Sequence, residues 1–161
     1  MNLLDKEKFE VWYLSYSGAP KDWYKVDKFF NKVPYDEVGE IYSQCDILIK
    51  SSLLESFSYP PLEMMATGGI AIVAPNAGNV EYLKHEENCM LYEQGNIEGA
   101  YQMINEVCNN DNLRTRLITK GVETVNSRIW DNICCDVLTL YGYEDIPEES
   151  YGDIYEKTKI L

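Results

Sequence analysis

Two glutamates in an E-x7-E arrangement, Glu55 and Glu63, frame the stretch best suited to chemistry: Glu55-Ser56-Phe57-Ser58-Tyr59-Pro60-Pro61-Leu62-Glu63. The stretch leaves an apolar run, DILIKSS, and enters a helix expected to begin near Pro61, since proline is favoured in a first helical turn. A helix start presents backbone N–H groups and a positive dipole end, both of which favour phosphate oxygens. Glu63 then falls in the first turn, held ionised by the dipole and able to grip a pair of vicinal hydroxyls. Glu55, at the strand end, is within reach of a sugar. The competing reading makes Glu63 a mere dipole partner and Glu55 a solvated loop acid. By themselves the residues weigh the two readings equally.

Other chemistry-bearing residues point elsewhere. The single histidine, His85, lies in the acidic loop KHEEN and reads as solvated rather than catalytic. The five cysteines (Cys45, Cys89, Cys108, Cys134, Cys135) include no CxxC pair and sit in apolar stretches, where a thiol behaves as a small hydrophobe. With one histidine and no paired ligands, zinc is not expected, and reduced thiols imply a reducing compartment. Trp12, Tyr13, Tyr16, Trp23 and Tyr24 cluster near the start. They read as a packed helix–strand layer rather than a sugar-stacking platform.

The elements that must position Glu55 and Glu63 follow from periodicity. Residues 10–16, 28–33, 46–50, 70–74 and 89–92 read as strands. Val38, Ile41, Tyr42 and Cys45 mark one face of a helix, and residues 61–67 and 79–85 read as two more. Continuous apolar strands alternating with helices predict a doubly wound α/β fold with a parallel sheet, whose ligands bind at the carboxyl ends of the strands. From Asn96 the pattern is helical. One stripe is Ile97, Ala100, Tyr101, Ile104 and Cys108, and Leu113, Leu117 and Gly121 begin another. The third is Trp130, Ile133, Cys134, Val137, Leu138 and Tyr141. All three read as core-facing surfaces. Residues 1–142 form the expected domain and residues 143–161 an acidic tail.

Composition narrows the function classes. The chain has 161 residues, enough for one domain with a full core. Fourteen Lys and Arg against 27 Asp and Glu give a net charge of −13, the opposite of the basic footprint that nucleic acid requires. No apolar run approaches a membrane span, and the first 20 residues lack a secretory pattern, so the expected location is cytoplasmic, peripheral to a membrane at most.

The E-x7-E block is similar to that of retaining glycosyltransferases of the GT-B fold, the large group 1 family. The flanking YSQCDILIKSS, ESFSYPPLEMMATGG and IAIVAPNAGNVEYL resemble that family's C-terminal, donor-binding half, and SYPPLEM its rhamnosyltransferase branch. The later NCMLYEQGNIEGAYQMI and RIWDNICCDVLTLYG are similar to its closing strand and helices. The resemblance implies a nucleoside-diphosphate sugar as donor substrate and no obligatory metal or other cofactor. It places Glu63 on the ribose hydroxyls and Glu55 on the donor sugar and its anomeric carbon. The amides of Phe57, Ser58 and Tyr59 would hold sugar hydroxyls and diphosphate, Gly78 would allow close backbone approach, and Lys32 and Val33 would meet the base. Its partners would be a glycan or lipid acceptor and an N-terminal acceptor domain, in cis or in trans.

The chain departs from that pattern in three ways. Ser58 stands where glycine is usual. A first strand, with the Arg and Lys that neutralise the diphosphate, should precede residues 10–16, and the acceptor half is missing. The expectations are therefore a piece of a larger enzyme or a standalone chain completed by a partner, inactive by itself, with exposed strand edges that favour exchange or homo-oligomers. The alternative functions are a non-catalytic assembly module that keeps the half-fold, and an unrelated doubly wound fold such as a nucleotide-sugar epimerase.

Overall fold

The structure, a computed structural model, describes residues 3–5, 7–22 and 26–142. Trp23, Tyr24 and the expected acidic tail 143–161 lie outside them. The elements run β1 (Trp12–Ser15), β2 (Lys28–Asn31), α1 (Tyr35–Tyr42), β3 (Ile47–Lys50), α2 (Tyr59–Ala66), β4 (Ile70–Val73), β5 (Met90–Leu91), α3 (Ile97–Asn109), α4 (Asp111–Asn126) and α5 (Trp130–Leu140). The described residues divide into two compact units, with the boundary after Val122, inside α4.

All strand pairing is parallel, in two sheets rather than the single sheet expected. β3, β4 and β5 pair in that order, with Ile47 opposite Ile70 and Ile72 opposite Met90, while β1 pairs with β2. The ladder explains the split. The carbonyls of Val11 and Ser15 accept from Lys28 and Lys32, which turns the amides and carbonyls of Trp12 and Leu14 to the other edge of β1. Asp46 and Lys50 likewise accept from Ile70 and Ala74, turning Ile47 and Ile49 to the free edge of β3. No described strand occupies either edge. The two sheets nonetheless share a helix layer, because Leu14 of β1 and Leu48 of β3 both pack on Val38, Tyr42 and Met64 from α1 and α2.

Ile47, Ile70 and Ile72 point to the opposite face and meet Ile104, Val107, Leu113 and Leu117 of α3 and α4. The sheet β3–β4–β5 is therefore covered on both sides, the doubly wound arrangement. Full burial of Met64 and Met65 stabilises α2 against it by about 1.5–3 kcal/mol per side chain. Gly68, at φ +79°, ends the α2 segment in a left-handed turn that residues with a β-carbon adopt at a cost.

Three expectations need correction. Residues 79–85 do not form a helix but run through successive turns at 77–82, because asparagine side chains there capture backbone amides. On α3 the buried residues are Ile104 and Val107, whereas Ile97 and Cys108, both expected in the core stripe, are exposed. On α5 no residue is buried, and Trp130 is 67% exposed.

The five cysteines form no disulfide, but they are not equivalent: Cys89 is buried, and Cys108 and Cys134 are exposed. Burial pushes the Cys89 thiol from 9.0 up to about 12, which lowers its thiolate fraction roughly a thousandfold at neutral pH. In the folded protein a thiol reagent should therefore modify Cys108 and Cys134 first and Cys89 last, with all five reacting in denaturant. Mass spectrometry of timed samples checks this order, and early labelling of Cys89 would contradict the burial.

Candidate functional site

The carboxyl end of β3, residues 51–58 and the start of α2 form one polar cluster, tied down from residues 76–94. The Tyr92 hydroxyl donates to the Lys50 carbonyl at 3.3 Å, and Asn76 Nδ2 and Gln94 Nε2 donate to the Ser52 carbonyl at 3.0 and 3.3 Å. At the other end the Ser58 amide donates to the Gly78 carbonyl at 3.0 Å, and the Tyr82 hydroxyl donates to the Ser58 carbonyl. The turn that carries Gly78 is built by asparagines: the Gly78 amide donates to Asn76 Oδ1 and the Asn76 amide to Asn79 Oδ1, each at 2.9 Å. Gly78 lies so close to the loop that a β-carbon there would stand 2.4 Å from the Glu55 carbonyl oxygen.

Glu55 is not a solvated loop acid. Its Oε1 lies 2.5 Å from Lys50 Nζ, and the two side chains are only 19% and 22% exposed. Burial pushes the Glu55 carboxyl up, but Lys50 and the hydroxyls of Ser52 and Ser58 outweigh it and hold the group below its ordinary value. Ser58 Oγ is itself fully buried and lies outside strict hydrogen-bond geometry with any described group, yet it still favours the charged form of Glu55. The Ser58 backbone, at φ −101° and ψ 96°, is ordinary extended chain, so serine in place of glycine brings no strain.

Glu63 needs a correction. The helix starts at Tyr59, two residues earlier than expected, so Glu63 is its fifth residue and lies beyond the first turn. Burial, opposed by the charge of Lys50, raises its carboxyl above the ordinary range, and the dipole does not keep it low. Glu63 in turn helps burial push the nearby Tyr42 phenol up to about 12. Lys50 thus acts on both carboxylates.

The phosphate cradle is also leaner than the sequence suggests. Of the four amide positions that a helix start leaves without intrahelical partners, Ser58 already donates to Gly78, and Pro60 and Pro61 have no N–H. The Tyr59 amide is the donor that remains of these four, together with the positive dipole end. Around it Phe57 packs edge-on to Tyr59 at 4.8 Å and tilted to Tyr82 at 5.8 Å.

Glu55, Ser58, Gly78 and, through Lys50, Glu63 are therefore brought together. Val33 packs with Leu48 on the cluster that contains Met64, the neighbour of Glu63. Lys32, at φ +53°, lines a cleft of about 510 Å³ with Tyr16, Ser17, Gly18, Ala19 and Asn31. His85 is structural: its Nδ1 accepts the Leu91 amide at 3.0 Å. The aromatic residues near the start form a strand layer, with Trp12 on Phe30, Tyr13 stacked on Phe29, and Lys28 Nζ 3.9 Å from the Trp12 ring centre. Among the described residues, no group of His, Cys, Asp and Glu is placed to hold a metal, and no helix is long and apolar enough to cross a membrane.

Lys50, Asn76, Asn79, Tyr82 and Tyr92 escaped the sequence reading. Only the run PNAGN, a turn-forming composition, carried a signal for any of them.

Residues 26–124, more than half the chain, match the family described as glycosyl transferases group 1. The chain belongs to that family. Its fold is that of a GT-B glycosyltransferase C-terminal half: it is similar to the C-terminal domain of a group 1 family protein, LpcC, from Francisella tularensis (TM-score 0.57, 22% identity, 63% of this chain and 52% of that one). It is also similar to Anabaena Alr3699/HepE in complex with UDP (TM-score 0.63, 19% identity, 71% of this chain and 32% of that one). In sequence it is 33% identical over 99 residues to the O-antigen biosynthesis protein RfbC of Myxococcus xanthus, a match covering 62% of this chain and 8% of RfbC. This group 1 glycosyl transferase domain therefore spans a small part of RfbC, about half of the LpcC domain and a third of HepE.

Proposed function

We propose that this domain binds a nucleoside-diphosphate sugar and serves as the donor half of glycosyl transfer to a glycan or lipid acceptor. The observation that carries the proposal is the gathering of Glu55 and Glu63 around Lys50, where a strand's carboxyl end meets a helix start. In this reading Glu63 accepts hydrogen bonds from the ribose hydroxyls, and Glu55 accepts them from the donor sugar and faces the positive charge that develops at its anomeric carbon. The Tyr59 amide and the helix dipole face the diphosphate as the sugar–oxygen bond breaks and charge collects on the leaving group. Gly78 keeps Glu55 at the strand end, the Ser58 amide ties the loop to the Gly78 carbonyl, the Phe57 amide serves the donor with that of Tyr59, and Lys32 and Val33 lie on the base side. The reading gives no metal a role. That HepE was crystallised with UDP and with UDP-glucose makes these the first probes.

The acceptor half, in cis or in trans, belongs to the same proposal, because the residues of the Glu55–Glu63 cluster are assigned to the donor. The open edges of β1 and β3 support a need for further polypeptide and also leave room for homo-oligomers. The purified chain is expected to bind UDP-glucose or a related donor in calorimetry but to show no steady transfer with a panel of nucleotide-sugars and acceptors. Steady transfer by this chain without a partner would overturn the division of labour. Absence of binding to every nucleotide would overturn the donor site and favour the assembly-module reading.

A further inference from the structure

We infer that Lys50 is the positioning residue of this site, fixing the Glu55 carboxylate and letting a second acid, Glu63, work beside it. The inference rests on the donor-site reading. Lys50 closes β3, and its side chain is nearly four-fifths buried and contacts Glu55 Oε1 at 2.5 Å. Its main chain is anchored independently, by the Tyr92 hydroxyl at 3.3 Å and by the ladder bond from the Ala74 amide at 2.9 Å. The ammonium is thus held by the sheet rather than carried on a mobile segment. From α2 the facing titratable group is Glu63, with Tyr42 of α1 beside it; from the loop it is Glu55, with the Ser52 and Ser58 hydroxyls around it.

Two carboxylates in one half-buried cluster repel, and burial alone disfavours the charge of either. Proline at positions 60 and 61 has removed helix-start amides that would otherwise offset this. Among the described residues the positive charge acting on both acids is Lys50, so its removal leaves Glu55 mostly buried and without that counter-charge. Glu55 then takes up a proton at a pH where the native group remains charged, and its contact with the sugar is lost there.

The test is the ratio of UDP-glucose affinity to UDP affinity, measured by calorimetry at pH 7.5 and at pH 5. Dividing by UDP cancels the contribution of Glu63 and leaves that of Glu55. The terminal phosphate of UDP takes up a proton in this range and the diester of UDP-glucose does not, so the native chain's own ratio at each pH is the reference. In Lys50→Met, where Glu55 has lost its counter-charge, the ratio should fall up to about tenfold below the native ratio at pH 5, the loss of one hydrogen bond to a charged group, and Lys50→Arg should restore the native profile. If Lys50→Met does not fold, Lys50→Gln removes the same charge while keeping a polar chain. A purely structural lysine would lower the melting temperature and leave the ratio at the native value at both pH values, which overturns the inference. Equal loss of UDP and UDP-glucose at both pH values also overturns it, by making Lys50 a direct phosphate ligand. If the native chain binds neither probe, the donor-site reading falls and takes this inference with it.

Discussion

Glu63→Ala should weaken UDP binding about ten- to a hundredfold, and Glu55→Ala should leave it nearly unchanged. The ribose hydroxyls occur in free nucleotide and in nucleotide-sugar alike, so a carboxylate that grips them contributes to both. A hydrogen bond to a charged group is worth about 1.5–3 kcal/mol, which is the stated loss in affinity. Glu55 is assigned to the sugar, so its removal should register with UDP-glucose and not with UDP. The two variants also differ in folding cost. Burial already disfavours the charge of Glu63, and its loss relieves desolvation; loss of Glu55 strands Lys50 in a mostly buried place. Urea unfolding of both variants separates this from binding. Equal losses of UDP affinity in the two variants would refute the division of roles.

Glu55 and Glu63 could be picked out of the sequence because their setting obeys local rules. DILIK has an apolar centre, Ile47 to Ile49, that marks a strand, Pro60-Pro61 opens a helix, and Gly68-Gly69 closes it. The lysine inside that run gave no such cue. A lysine ending a strand reads as a solvent-facing residue, and only the tertiary fold shows it mostly buried against Glu55, with its charge also acting on Glu63. The turns at 77–82 failed differently: NVEYL has helical spacing, but Asn76 and Asn79 spend their side chains on backbone amides and win over the periodicity. The helix boundary mattered as well. A shift of two residues moved Glu63 out of the first turn and replaced dipole stabilisation with burial as the force acting on its proton. The stripe on α5 is plain in the sequence, yet periodicity says only which residues share a face and not what covers that face.

The same substitution at two glycines should act in opposite directions, and the contrast tests whether backbone contact at Gly78 holds the site. Gly39 is exposed in the middle of α1, with nothing within 4 Å of where a β-carbon would go. Gly39→Ala should therefore raise stability by about 0.5–1 kcal/mol through helix propensity alone. At Gly78 the new β-carbon would meet the Glu55 carbonyl oxygen at 2.4 Å, its carbon at 2.8 Å and the Ser56 carbonyl carbon at 3.1 Å. These are backbone atoms, which cannot rotate aside as a side chain can. Two ties to neighbouring segments resist a shift: Ser58 bonded to the Gly78 carbonyl, and Ser52 bonded to Asn76. Overpacking of this kind costs about 1–3 kcal/mol, a large part of a typical domain's stability. The displacement also falls on the residue that carries the sugar-facing carboxylate, so Gly78→Ala should lose UDP-glucose affinity more than UDP affinity. Urea unfolding measures the first effect and calorimetry the second. A Gly78→Ala protein as stable as the native chain, with the two affinities unchanged, would mean that the loop and the turn are not held together as their contacts require.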